Sequence, residues 1–376
     1  MKILFLVENY HGFYTKYLLE HPGLSEKTYE KQCQELFARS FYQSDSYAHS
    51  INRLGYEAYQ VVMDCKPLQR KWAEENNFTV IPQWLSHKPW RWYWTKILHK
   101  PDFYYNNTYR ITLEQIKRIK PDVLYVFSGV PVNKLFLSCA RQYARYIICQ
   151  WACPILKNYP YGSYDLIITS TGALVDYFKR EGINVEYLPH AFDDRILSKI
   201  NTERPREGIV FIGSVLSDIH KERIVFLEQL ARCIDFDFYG IGINSLSEKS
   251  PLRKKFKGEA YGLDMYDIYS RSKIAIHIHE QITGDFLGAK RPFEVTGSGA
   301  MLVTDAKKDL NNFFRIGKEV VDYVDTSDCL TKLRYYMEHE DERASIALAG
   351  QKRTLEDHTF KVRAKVLMDI IRQNLK

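Results

Sequence analysis

Short apolar runs alternate with amphipathic stretches along the chain. Residues 2–7 (Lys-Ile-Leu-Phe-Leu-Val) read as a buried strand, and the pattern predicts a helix over about 30–54, ending at Gly55. Further apolar runs at 58–63, 121–127, 146–150 and 166–169 predict strands, with a helix over 113–119 before the second of them. Continuous Val/Ile/Leu-rich runs, rather than alternating ones, mark strands covered on both faces. Strands that alternate with helices predict a parallel, doubly wound sheet.

The pattern restarts at 208. Gly208-Ile209-Val210-Phe211-Ile212-Gly213-Ser214 predicts a strand, then a helix over 221–234, a strand at 236–240 and two more at 274–278 and 301–303. The two halves meet near 190–206, where Pro189, Pro205 and the charged run 203–207 lie. The expected fold class is α/β, with two Rossmann-like domains facing each other across a cleft. The expected boundaries are 1–190, 191–358 and a final stretch, 359–376, whose helix (360–375) could pack back on the first domain.

Composition narrows this little. Apolar residues make up 45% and charged residues 26% of 376, which excludes a disordered or collagen-like chain. No stretch of about 18 apolar residues predicts a membrane span, and the start of the chain is too short an apolar run for a signal peptide. Seven cysteines at irregular spacing suit reduced thiols and a cytoplasmic protein better than a disulfide framework. Cys149 and Cys153 have no second pair, so no metal site is expected there. The net charge is +7, and residues 1–190 hold 23 Lys and Arg against 17 Asp and Glu, so the basic excess belongs to the first half.

Four constellations carry candidate chemistry. Gly213 and Ser214 close a strand, and Lys221 and Arg223 follow at a helix start. A glycine there lets backbone approach a ligand, and the helix start favours a phosphate. A turn with a solvated helix start accounts for the same residues. Next, Arg291 and Glu294 are three apart, so they share one helical face, with Pro292 suited to the first turn. A guanidinium suits a diphosphate and a carboxylate suits sugar hydroxyls; an internal salt bridge is the alternative. Gly297 and Gly299 precede the strand at 301. His277 and His279 alternate along their strand and share a face; no third metal ligand accompanies them. Lastly, His11 follows the first strand, where it could act as a base or bind a hydroxyl, or simply occupy a polar loop.

In order, the segments 208–214, Phe238-Tyr239-Gly240, 274–280, Arg291-Pro292-Phe293-Glu294, Gly299-Ala300-Met301-Leu302-Val303-Thr304, 314–320 and His358-Thr359-Phe360 with Arg363 resemble the C-terminal domain of GT-B glycosyltransferases. The resemblance is closest to the spore-maturation CgeB-like group and covers about 185–370. It implies the GT-B fold and metal-independent transfer from a UDP- or GDP-linked sugar, with retention and no other cofactor. It implies donor contacts at Gly213, Ser214, Arg223, Tyr239, Gly240, Arg291 and Glu294; the residue pattern adds Lys221, His277, His279 and Gly299 to the donor candidates, and Arg291, Glu294 and His11 are the catalytic candidates. Glu294 matches the second carboxylate of the family's Glu, seven residues, Glu pattern; Phe286 stands where the first belongs.

Residues 84–110 hold nine aromatics and five Lys or Arg with one acid, Asp102. Aromatics stack on sugars, and aromatic–basic mixtures suit a membrane surface; an ordinary aromatic core is the plain alternative. No nucleic-acid module is present. The expectation is a hexosyltransferase of polysaccharide biosynthesis, in the cytoplasm or at the inner membrane face. Its acceptor would be a glycan or lipid-linked glycan, with peripheral membrane contact through 84–110. A catalytically degenerate scaffold or a nucleotide-sugar epimerase would use the same architecture.

Overall fold

A computed structural model of the chain describes residues 1–8, 13, 17, 19–41, 44–82, 106–203 and 205–375. The chain divides into two compact units: unit 1 comprises 1–169, 175–187 and 364–376, and unit 2 comprises 170–174 and 188–363. Each is built on a six-stranded parallel sheet with helices around it.

In unit 1 the strands are β1 (Lys2–Val7), β2 (Glu57–Val62), β3 (Val123–Phe127), β4 (Tyr146–Gln150), β5 (Leu166–Thr169) and β6 (Val185–Tyr187), in the order β2-β1-β3-β4-β5-β6. Leu4 pairs with Leu124, and Leu124 with Ile147. Every residue of β3 and β5 is buried, as two-faced coverage of a parallel sheet requires. Phe5, Tyr125 and Phe127 pack their rings at 5.0–6.2 Å, so a share of the aromatic content is core.

The helix expected over 30–54 is two helices, α1 (Tyr29–Ala38) and α2 (Ser46–Asn52). Ser40 and Ser44 between them take left-handed backbone (φ 52° and 39°), and Ser44 Oγ donates to the Phe37 carbonyl. Serine side chains compete with the helix ladder in this way, and the apolar periodicity does not reveal it.

In unit 2 the strands are β7 (Glu207–Ile212), β8 (Asp237–Tyr239), β9 (Phe256–Gly258), β10 (Ser272–His277), β11 (Met301–Asp305) and β12 (Val321–Tyr323), in the order β12-β11-β10-β7-β8-β9. Four helices matter below: α3 (Lys221–Cys233), α4 (Leu263–Ser270), α5 (Arg291–Gly297) and α6 (Phe360–Asn374). From Ala364 onward the last helix counts with unit 1, where Asn184 donates to Asn374. In each sheet the strand order reverses beside the first strand, between β1 and β3 and between β7 and β10. In such sheets ligands bind outside the carboxyl ends at that reversal. Among the described residues no helix is long and apolar enough to cross a membrane.

Candidate active site

The carboxyl ends of β7, β8 and β10 form one backbone-packed patch in unit 2. Gly213 N–H donates to the Tyr239 carbonyl at 3.0 Å, and Val215 N–H to Ile241 at 2.9 Å. Gly240 has φ +146°, and a Cβ there would lie 1.9 Å from Gly213 O. The two loops can touch because Gly240, just after β8, has no side chain.

Arg223 is buried and holds this patch together. It donates to the Ser214 carbonyl (3.1 Å), the Ile278 carbonyl (3.0 Å) and Glu280 Oε1 (2.7 Å). His220 Nδ1 accepts from Leu216 N–H at 3.2 Å, and its Nε2 lies 3.4 Å from the same Glu280 oxygen. Arg223 therefore ties the β7 loop to the end of β10. Lys221 is exposed at the start of α3.

His277 ends β10 and His279 lies two residues beyond the strand; their rings meet edge-on at 4.4 Å. Asp305 accepts from His279 Nδ1 at 2.7 Å and from its main-chain N–H at 3.0 Å. Burial, then His279, pushes His277 well below its ordinary range, so it is neutral. Burial works against ionisation of Asp305, yet the bond from His279 and the Lys307 ammonium (3.1 Å) hold its carboxyl well below the usual range.

Arg291 opens α5 with Pro292 in the first turn. Glu294 is only 6% exposed, and three groups meet its carboxylate. Arg291 Nη1 reaches Oε2 at 2.9 Å, Lys290 Nζ reaches Oε1 at 3.3 Å, and Tyr266 Oη on α4 donates to Oε1 at 2.9 Å. Burial opposes ionisation of Glu294, but Arg291 and then Lys290 hold it below its ordinary range. Arg291 also lies over the Tyr269 ring at 5.7 Å and keeps a quarter of its side chain in solvent. The internal salt bridge is formed: the carboxylate is saturated internally, and the cations at its rim are part-exposed.

Phe286 packs against Gly172, where a Cβ would come within 2.9 Å of its ring. Nearby, His190 Nε2 meets Ser170 Oγ at 2.8 Å; burial, then Lys290, push this imidazole down to about 4.

The structure thus gathers Gly213, Ser214, Arg223, Tyr239, Gly240, His277 and His279 at one sheet edge, with Arg291 and Glu294 on the helix that follows β10. Gly299 is set apart. It precedes β11 at the opposite, amino-terminal edge, where a Cβ would lie 2.3 Å from Arg206 Nη2. His11 and residues 84–105 lie outside the described residues. Of the aromatic–basic stretch, Tyr109 packs on Phe136 at 5.3 Å and Arg110 on Phe78 at 5.3 Å. Lys290, Tyr266, Glu280 and Asp305 are partners that motif reading missed; only Lys290 carried a signal, its i,i+4 spacing to Glu294. Among the described residues no group of three or more His, Cys, Asp or Glu is placed to hold a metal ion.

Two doubly wound parallel sheets, the second with a glycine-lined loop beside its reversal point, define an α/β protein of the Rossmann-like class. Comparison makes the class specific. Residues 223–369 match a family model described as Glycosyl transferase-like. No curated protein matches by sequence. Among solved structures, a glycosyltransferase from Rickettsia africae ESF-5 aligns at TM-score 0.61 and 11% identity over 100% of this chain and 98% of that one. Anabaena Alr3699/HepE in complex with UDP and glucose aligns at 0.57 and 12%, over 99% and 100%. The pneumococcal O-GlcNAc transferase GtfA in complex with UDP and GlcNAc aligns at 0.49 and 13%; this chain covers 60% of its length. The fold is that of the GT-B glycosyltransferases, and the family model matches the carboxyl-terminal part of the chain.

Proposed function

We propose that this chain transfers a sugar from a UDP- or GDP-linked donor to a glycan or lipid-linked glycan, as a member of the CgeB-like group. Unit 2 holds the donor. Main-chain groups at Gly213 and Ser214 face the diphosphate, Tyr239 and Gly240 border the base, and Arg291 with Lys290 supplies positive charge. The carrying observation is the Gly213–Gly240 approach between the ends of β7 and β8, next to the strand reversal, with two part-exposed cations held by one buried carboxylate. In the transfer, the bond from the anomeric carbon to the diphosphate oxygen breaks and a bond to the acceptor oxygen forms. The acceptor proton leaves with the departing phosphate, which Arg291 and Lys290 stabilise as its charge develops. This course needs no metal and retains configuration. Glu294 acts through Arg291 and Lys290, whose positions it fixes.

Nucleotide release from a UDP- or GDP-sugar panel tests the reading. Arg291→Ala should lower the rate by about tenfold or more; an unchanged rate and donor affinity removes Arg291 from the site. A second reading, a donor-binding protein without transfer, is supported by Phe286, which stands where the resemblance expects the first carboxylate and is packed on Gly172. Donor binding without turnover would select it.

A further inference from the structure

Residues 170–174, which follow β5, count with unit 2. Three consecutive members of this segment bear on the loop that leads into α5. Ser170 Oγ lies 2.8 Å from His190 Nε2, and the same ring meets a main-chain group of Gly288. A Cβ on Gly288 would come within 2.7 Å of Thr171 Oγ1, and one on Gly172 within 2.9 Å of the Phe286 ring. The loop is also held by the residues after β11. Leu287 N–H donates to Asp309 Oδ1 at 2.7 Å, and Lys308 N–H to the Asp285 carbonyl at 2.8 Å. Arg363 Nε donates to the His190 carbonyl at 3.3 Å, so the main chain and the ring of His190 are both fixed. Lys290, Glu294 and Arg363 are the charges that act on that ring.

We propose that His190 is a positioning residue for the transfer, holding Lys290 where its ammonium meets the departing diphosphate. The assignment rests on the transferase reading above and adds a residue to its donor site. Three observations support it. His190 is tied to Ser170 and to Gly288, two residues before Lys290, so its ring fixes the stretch of loop that carries the ammonium. The packing at Gly172 and Gly288 is too close for a Cβ, so the segment and the loop shift only together. Burial, then Lys290, keep the imidazole uncharged at neutral pH, so it adds no repulsion to the Lys290–Glu294 pair at 3.3 Å. His190 acts on the reaction through Lys290 and touches no reacting atom itself.

The test is a double-mutant cycle on nucleotide release by the full chain from a panel of UDP- and GDP-sugars, with melting temperature read on the same samples. His190→Ala should lower kcat about tenfold and change KM far less, as for a misplaced group that acts in the transition state. In a Lys290→Met background the same substitution should have no further effect, because residues that act as a unit are not additive. His190→Gln keeps a neutral hydrogen-bonding group toward Ser170 and should restore most of the rate. Ser170→Ala should lower kcat in the same direction and lose that effect in the Lys290→Met background; it carries the cycle if His190→Ala does not fold. The assignment is overturned if kcat is unchanged in the folded variants, or if the loss is the same factor with and without Lys290, as a merely structural joint would give. A wild type that turns over while the cycle is additive removes this assignment alone. A wild type that binds no nucleotide sugar removes the reading beneath it, and this assignment with it.

Discussion

Glu294→Ala removes the acceptor shared by Arg291, Lys290 and Tyr266. Breaking a buried ion pair by deleting one member costs about 3–5 kcal/mol, since the other charge stays behind. Arg291 and Lys290 have side chains 25% and 18% exposed and recover part of their hydration, which lowers that figure. Tyr266 is buried, and leaving its hydroxyl unpaired adds about 1–3 kcal/mol. Together the change should destabilise unit 2 by about 3 kcal/mol. For a unit of this size each kcal/mol moves the melting temperature by about 2–4 °C, so a drop of roughly 6–12 °C is expected. Differential scanning calorimetry reads it. Because the Glu294 carboxyl is held below its ordinary range, its stabilisation is present above the unfolded value near 4.5 and is lost as pH falls through the folded value. The mutant's deficit should therefore narrow in acid. A shift below about 2 °C at pH 7 would refute the buried network and the positioning role assigned to Glu294.

The glycine contact and the half-buried carboxyl of Glu8, just after β1, supply two more expectations. Gly240→Ala must displace Gly213 O and should cost at least twice as much in melting temperature as Gly208→Ala, which shares a positive φ (+58°) but has nothing within 4 Å; only the first should also weaken donor binding. Glu8→Gln should melt with the wild type at pH 5 and above it at pH 8. A carboxyl raised to about 7 contributes stability below the unfolded value that is lost as pH rises through 7. Equal melting at both pH values would contradict a desolvated carboxyl at that position.

The fold class was legible because buried parallel strands write themselves as unbroken apolar runs; 2–7, 146–150 and 208–214 are examples. The strands that went unread are Val185–Tyr187, Phe256–Gly258 and Val321–Tyr323, three residues each and all at sheet edges. An edge strand so short leaves no periodicity to find. In the candidate site, the Arg291–Glu294 pairing was readable from helical spacing, and the place of Gly213 from its strand–glycine–helix setting. Tyr266 and Asp305 were not, because each reaches its partner from 28 or 26 residues away. Glu8 was invisible as a perturbed carboxyl for the same reason: Asp64, Gly129 and Cys153 meet it only when four strands align in one sheet.

The claim that unit 2 holds a nucleotide-sugar is tested most directly by calorimetric titration of the full chain with UDP- and GDP-sugars. The account predicts that at least one binds at a single site per chain, and that Arg291→Ala weakens it about tenfold, the cost of one lost charged contact. A folded chain that binds no sugar nucleotide, or binds one with equal affinity after Arg291→Ala and Gly240→Ala, would contradict it.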